Sequence, residues 1–404
     1  MKIVQVNCVY KKGSTGKIVE CIHSELQKQG IESVVCYGRG AKINEPNVYK
    51  TCGELYSKIN NALARVTGIM YGGCFVSTNK LISIIKKENP DVVHLHCING
   101  YFVNIYRLIR WLNKNKIKTV LTLHAEFMYT ANCGHAFDCE KWKSGCGSCL
   151  RAKEETKTMF FDRTAKSWKR MKKAFEGFED NLIVTSVSPW LMERAKQSPI
   201  LGSMRHTVVL NGLDTNVFKP YNSGGLKKEF GITDEKVIFH ATPRFNDDPN
   251  HIKGGYYVLE LAEMMKSDNV RFFIAGSYPD DLTVPENVTL LGVVRDQVRL
   301  AQFYSMADVT VLTSKKETFS MITAESLCCG TPIAGFMAGG PESIAIADYS
   351  DFVEHGDINS LNQRIKSCLT LNKKSNICLK KCENKYLSGN MTQRYIGIYK
   401  DVSK

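Results

Sequence analysis

Two glutamates, Glu317 and Glu325, stand with seven residues between them just beyond the apolar run 309–313. Such a run reads as a buried strand. A helix starting near Ser320 would turn the backbone amides of Phe319, Ser320 and Met321 outward at its positive end, where a diphosphate is stabilised. Glu325, about one and a half turns along, would accept hydrogen bonds from vicinal ribose hydroxyls, while Glu317 would stay on the loop beside a sugar. The two carboxylates would then bracket one nucleotide sugar.

Upstream, Arg244 and Lys253 are placed to neutralise a pyrophosphate and the charge that develops on a leaving nucleoside diphosphate; as solvated loop charges they would do nothing specific. No Asp-x-Asp triplet occurs in the sequence, so the carboxylate pair that commonly clamps a divalent cation on a diphosphate is missing and no catalytic metal is expected. In the first half, Gly13-Ser14-Thr15-Gly16-Lys17 lacks the full eight-residue Walker pattern, because Ile18 follows the lysine. Its glycines Gly13 and Gly16 allow close backbone approach to a phosphate or acceptor, or simply make a strand-to-helix turn. His124 ends the run 119–123, a position from which α/β sheets offer side chains to ligands. His94 and His96 alternate on one strand and share a face, as structural or acceptor-side residues.

The elements that must hold these residues alternate β-rich and helical stretches. In the first half the strand-like runs are 3–7, 33–37, 91–96, 119–124 and 182–187, and the rhythm restarts after Thr207. The length, 404 residues, suits two α/β domains rather than one core. The simplest architecture is two doubly wound domains facing across a cleft, with ligands at the carboxyl ends of the strands.

The ordered set Gly13–Gly16, His124, Asn211-Gly212-Leu213-Asp214, Arg244 with Lys253-Gly254, Glu317 to Glu325, and Gly339-Gly340-Pro341-Glu342 resembles the retaining glycosyltransferases of the two-domain GT-B fold with the Glu-x7-Glu signature, of the bacterial surface-polysaccharide type. The resemblance covers nearly the whole chain. It implies an acceptor-binding domain over residues 1–208, a nucleotide-sugar-binding domain over 209–385, and a tail, 386–404, crossing back to the first domain. It also implies that Glu317 contacts donor-sugar hydroxyls, that Glu325 contacts the ribose, that His124 reaches the donor sugar, and that transfer retains configuration. One departure stands out: nine positions separate Arg244 from Lys253, more than the family shows, with Asn246-Asp247-Asp248-Pro249 inserted.

Two further features fall outside that set. Cys133, Cys139, Cys146 and Cys149 lie within seventeen residues; four thiolates could close a structural zinc site, and free thiols or disulfides are the other readings. Residues 161–175 repeat Phe161, Trp168 and Phe175 every seven residues among lysines and arginines. That pattern suits an interfacial helix on anionic lipid, or a domain helix docking its aromatic stripe in the core.

Charge sharpens the partner class. Of the formal +14, the whole excess sits in residues 1–200, with 31 Lys and Arg against 17 Asp and Glu. A basic first half favours an anionic partner. The start of the chain shows no signal-peptide pattern and no run of some 18 apolar residues occurs, so a cytoplasmic protein, peripheral on the inner membrane face, is expected. The expected function is transfer of a sugar from a nucleotide-diphosphate sugar to an anionic, lipid-linked glycan acceptor, with no nucleic acid involved. A nucleotide-sugar epimerase or phosphorylase of the same fold, and a zinc-dependent nucleic-acid-binding protein, are the competing classes.

Overall fold

The computed structural model describes residues 1–370 and 379–404. The chain divides into two compact units, Met1–Leu210 with Met391–Lys404, and Asn211–Asn390.

The first unit is built on seven parallel strands: β1 (Lys2–Asn7), β2 (Glu32–Tyr37), β3 (Val48–Lys50), β4 (Val92–Leu95), β5 (Thr119–Leu123), β6 (Leu182–Ser186) and β7 (Arg205–Val208). Their order is β3-β2-β1-β4-β5-β6-β7. Central strands read as continuous apolar runs because helices cover both faces, so β4 and β5 are buried at every position. The helix Gly13–Lys28 lays Ile18, Ile22 and Leu26, spaced four apart, on Ile3, Val92 and Val120. The C-terminal helix Ser388–Val402 adds Met391, Tyr395, Tyr399 and Val402 to the same core. Two of its tyrosines also tie it to the sheet by polar contacts: Tyr399 Oη lies 2.7 Å from His94 Nδ1 and Tyr395 Oη 3.0 Å from Thr122 Oγ1.

The second unit repeats the scheme with six parallel strands: β8 (Lys236–Arg244), β9 (Val270–Ser277), β10 (Val288–Gly292), β11 (Val309–Leu312), β12 (Ile333–Phe336) and β13 (Ser350–Val353), ordered β10-β9-β8-β11-β12-β13. Its core joins Ile238, Phe272, Val309 and Ala334 of the sheet to Val258 and Leu261 of one covering helix and Leu361 and Ile365 of another. The observed class is the α/β arrangement of two Rossmann-like parallel sheets read from the sequence.

The aromatic stripe of residues 161–175 resolves in favour of the core. The helix is Thr164–Phe175, with Trp168, Met171 and Phe175 buried and its lysines exposed; Trp168 Nε1 donates to the carbonyl of Trp142 at 3.0 Å. Phe161 lies before the helix and is 51 % exposed. The interfacial reading of this helix is therefore corrected: its aromatic side chains face protein, and no apolar face remains for lipid. Trp168→Ala should lower unfolding free energy by about 3–5 kcal/mol in urea titrations, since it empties a packed site; a loss below ~1 kcal/mol, the scale of a surface change, would contradict that placement. Among the described residues no helix is long and apolar enough to cross a membrane.

Candidate functional site

In the second unit the chemistry gathers beyond the carboxyl ends of β8, β11 and β12, which are neighbours in the sheet. After β11 the chain stays buried through Thr313 and Ser314, then surfaces at Lys315 and reaches Glu317. A helix, Met321–Cys328, follows with Ser320 as its N-cap: Ser320 Oγ accepts from Thr323 N at 3.2 Å. Cap and helix start fall where the sequence placed them. Ser320 holds φ 78°, ψ 91°, a conformation that costs a non-glycine residue free energy and persists only where surroundings impose it. Those surroundings include the glycine pair. Glu317 N donates to Ala338 O at 3.0 Å and Gly340 N to Glu317 O at 2.8 Å, and a Cβ on Gly340 would sit 2.4 Å from the carbonyl carbon of Thr318. Glu342 caps the same loop, accepting from Ala338 N at 3.0 Å and Gly339 N at 2.6 Å.

Lys253 is delivered from the opposite side. Its loop lies on the 313–315 segment through Lys315 N donating to Ile252 O at 2.8 Å and Thr313 Oγ1 donating to Lys253 O at 3.3 Å. Gly254 makes that approach possible: it has φ +66°, and a Cβ there would lie 2.1 Å from Thr313 O. The result is a partly buried ion pair, Lys253 Nζ to Glu317 Oε1 at 2.5 Å. Glu325 points elsewhere, accepting from the hydroxyl of fully buried Tyr304 at 3.0 Å. Burial, with the Glu325 charge beside it, raises the Tyr304 hydroxyl well above its ordinary pKa, so it stays a donor. Arg244 ends β8, exposed, at the same sheet edge. Phe319 is buried and Met321 half-buried, so the loop's side chains pack into protein. The set amounts to an ammonium beside a carboxylate, a capped helix start, and a second carboxylate one helical turn on.

In the first unit, β1, β4 and β5 are adjacent, and their carboxyl ends bring together residues far apart in sequence. Gly13 opens the helix that follows β1, with φ +64°. Gly16 accepts a hydrogen bond from Lys11 N at 3.2 Å and would meet Val9 and Lys11 at 3.3 Å with a Cβ added. Asn7 joins this turn to β4, donating to Val9 O at 2.7 Å and accepting from Cys97 N at 3.0 Å. His124, just past β5, has Nε2 at 3.2 Å from His96 Nδ1. His94 turns inward instead, between Tyr399 Oη and Thr122 Oγ1, both at 2.7 Å. Of that pair, His94 is thus structural and His96 supports His124.

Desolvation pushes all three rings down, His124 from 6.5 to about 4, and His94 and His96 well below 6.5 with neighbouring imidazoles adding to the effect. Neutral rings leave His124 with one donor and one acceptor nitrogen. For His124 the unfolded chain takes up its proton near pH 6.5 and the folded chain only near pH 4, so its contribution to stability is complete above 6.5 and is lost as pH falls from 6.5 towards about 4, with His94 and His96 shifted in the same direction. Melting temperature should fall by several degrees across that window, and the fall should shrink in His96→Asn. An equal acid slope in both proteins would show that other groups set it.

The sequence reading missed Glu126. It is fully buried two residues after His124, an unpromising place for a carboxylate, and it survives there because Arg194 Nε meets Oε1 at 2.7 Å, Tyr129 Oη donates at 2.5 Å, and Ala136 N donates to Oε2 at 2.7 Å. The Arg194 guanidinium in turn lies over Trp142 and Trp190 at 5.1 and 5.2 Å. This cluster pins the turn after His124 to the helix Pro189–Lys196 and to the cysteine loop. A charged residue in the otherwise apolar stretch 125–131 was the available signal.

Cys133, Cys139, Cys146 and Cys149 all line one cavity of about 20 Å³ over Trp142. Among the described residues no set of three or more His, Cys, Asp or Glu side chains is gathered closely enough to hold a metal ion. Backbone contacts close the loop: Trp142 Nε1 donates to Cys139 O at 2.7 Å, Lys141 Nζ to Gly147 O and Ser148 O, and Asp162 accepts from Cys149 N at 2.5 Å.

Residues 227–385 match the family described as Glycosyl transferases group 1. Over 348 residues the chain is 24 % identical to an Escherichia coli (strain K12) protein named for colanic acid biosynthesis glycosyl transfer, covering 82 % of each. Over 366 residues it is 23 % identical to the N-acetyl-alpha-D-glucosaminyl L-malate synthase of Bacillus anthracis, covering 88 % of this chain and 84 % of that one. Among solved structures, the Anabaena HepE protein in complex with UDP-glucose superposes with a TM-score of 0.64 at 14 % identity, covering 99 % of this chain and all of that one. Sucrose-phosphate synthase from Thermosynechococcus elongatus gives 0.65 at 14 %, covering all of this chain and 99 % of that one. These likenesses make the two-sheet architecture the GT-B fold. The lysine–glutamate pair and the capped helix both lie inside the segment similar to the group 1 glycosyl transferases.

Proposed function

We propose that this transferase moves a sugar from a nucleoside-diphosphate sugar, with retention and without a catalytic metal, onto an anionic, lipid-linked glycan at the cytoplasmic membrane face, in surface-polysaccharide assembly. The observation that carries the proposal is the Lys253–Glu317 pair set before the Ser320-capped helix, with Glu325 held by Tyr304 behind it. Lys253 and Arg244 attract the diphosphate, while helix-start amides donate hydrogen bonds to its oxygens. As phosphate draws Lys253 towards itself, Glu317 is released from part of its ion pair to accept from sugar hydroxyls. Glu325, oriented by Tyr304, takes the ribose hydroxyls. Leaving-group charge is then stabilised by fixed cations. In the first unit, neutral His124 holds a sugar hydroxyl. Kinship with the colanic acid protein and the basic first half support the choice of acceptor class.

Activity should survive a brief EDTA treatment at full rate, and NMR of the product should show the donor's anomeric configuration. Loss of turnover restored by Mg²⁺ or Mn²⁺ would remove the metal-independent part, and an inverted product the retaining part.

A further inference from the structure

The helix Glu54–Thr67 is packed inside out. Its buried positions are the small Ser57 and Ala64, whereas Leu55, Ile59, Leu63 and Val66 are exposed, Leu55 by 72 %. At 100° per residue those four fall within one quadrant of the helix. A helix stabilised by burial ordinarily turns such a stripe to the core. Here the stripe faces away from it.

The exposed apolar surface continues beyond this helix on both sides. Phe75 and Val76 open the next helix and are exposed; their turn is fixed against the first by Cys74 N donating to Asn60 Oδ1 at 2.7 Å and Val76 N to Tyr56 Oη at 3.3 Å. On the other side, Met159 N donates to Arg65 O at 2.8 Å and Arg65 Nε to Lys157 O at 3.2 Å, which seats Phe160, 68 % exposed, and Phe161 beside the helix end. Scattered exposed leucines need no explanation; a contiguous patch of this kind does. Between its parts opens a groove of about 170 Å³ lined by Leu63, Ile69, Tyr71 and Tyr101 among others.

Charge selects the occupant. Lys58 and Arg65 are exposed and project from one flank of the stripe, and the Arg163 guanidinium lies over the Phe161 ring at 5.3 Å. The nearby carboxylates are engaged: Glu54 by Arg39 and Gly40 N, Asp162 by Cys149 N and Thr164. We propose that the 54–67 helix, with residues 75–76 and 159–161, is a docking surface for an anionic lipid bilayer, apolar side chains entering the acyl boundary and the cations meeting headgroup phosphates. A second copy of the chain would bring like-charged flanks together. The inference rests on the lipid-linked acceptor reading only for its purpose, which is to keep the transferase where its acceptor lies.

Flotation of the full chain with vesicles tests it. The protein should rise with equimolar phosphatidylcholine and phosphatidylglycerol at low salt and stay below with phosphatidylcholine alone. Leu55→Ser/Ile59→Ser/Leu63→Ser should weaken partitioning roughly 1,000-fold, because each of the three side chains removed from the acyl boundary is worth about a tenfold change. Lys58→Glu should weaken it about fivefold or more, the loss of one cation. These side chains are exposed, so melting temperature and affinities for UDP, GDP and ADP should match the wild type. No binding of folded wild type to the anionic vesicles, undiminished binding by the triple variant, or a wild-type dimer that the triple variant dissolves would each overturn the proposal. Lost vesicle binding with intact nucleotide binding refutes this surface alone; intact vesicle binding without any nucleotide binding refutes the transferase reading alone.

Discussion

Lys253→Ala should cut transfer by roughly 10²–10³-fold, the cost of removing one preorganised charge from a developing anion. Lys253 serves twice. In the structure it holds Glu317 at 2.5 Å, and in the proposed mechanism it would face the diphosphate whose charge grows as the glycosidic bond breaks. Most of the loss should therefore fall on kcat, with a smaller rise in KM, the mark of an interaction stronger in the transition state than in the ground state. Lys253→Arg should recover part of the rate because charge is kept, though not all, since a planar fork cannot reproduce the position of an ammonium on a loop fixed by Gly254. Glu317→Gln should likewise lower kcat more than nucleotide affinity. A Lys253→Ala enzyme within about fivefold of wild type would mean that this lysine only solvates a loop.

Glu325→Ala should act on binding instead. It removes the charged acceptor proposed for the ribose hydroxyls and should weaken nucleoside-diphosphate binding by about 1.5–3 kcal/mol, a hydrogen bond to a charged group. It also strips Tyr304 of its partner at 3.0 Å, leaving a buried hydroxyl unpaired, so the melting temperature should fall too. Glu325→Gln separates the effects: an amide oxygen can still accept from Tyr304, while the ribose loses a carboxylate. Calorimetry on both variants is the measurement; unchanged nucleotide affinity in Glu325→Ala would falsify the ribose role.

The helix start at Ser320 and the strand before it could be read directly, because N-cap chemistry and a buried apolar run are local signals. The Lys253–Glu317 pair was not readable. The residues are 64 positions apart, and they meet only because β8 and β11 are neighbours and Gly254 lets one loop lie on the other. Sequence supplied two cations for a phosphate, and the structure pairs one of them with a carboxylate. The histidines behaved similarly: alternation put His94 and His96 on one face, yet only tertiary contacts separate the first, fixed by Tyr399, from the second, set against His124. Periodicity failed most clearly at the helices. It finds an apolar stripe without telling which way the stripe faces, so residues 161–175 suited either lipid or core, and the helix packs in the core. The 54–67 helix, which does expose its stripe, drew no notice.

The most direct test of the central claim is a calorimetric titration of the wild-type chain with UDP, GDP and ADP and their sugars, repeated on Lys253→Ala. Ligand that binds only the folded state must stabilise it. Saturable binding of at least one nucleoside diphosphate is expected, with a matching rise in melting temperature and weaker binding in the variant. Folded wild-type protein that binds none of these nucleotides would contradict it.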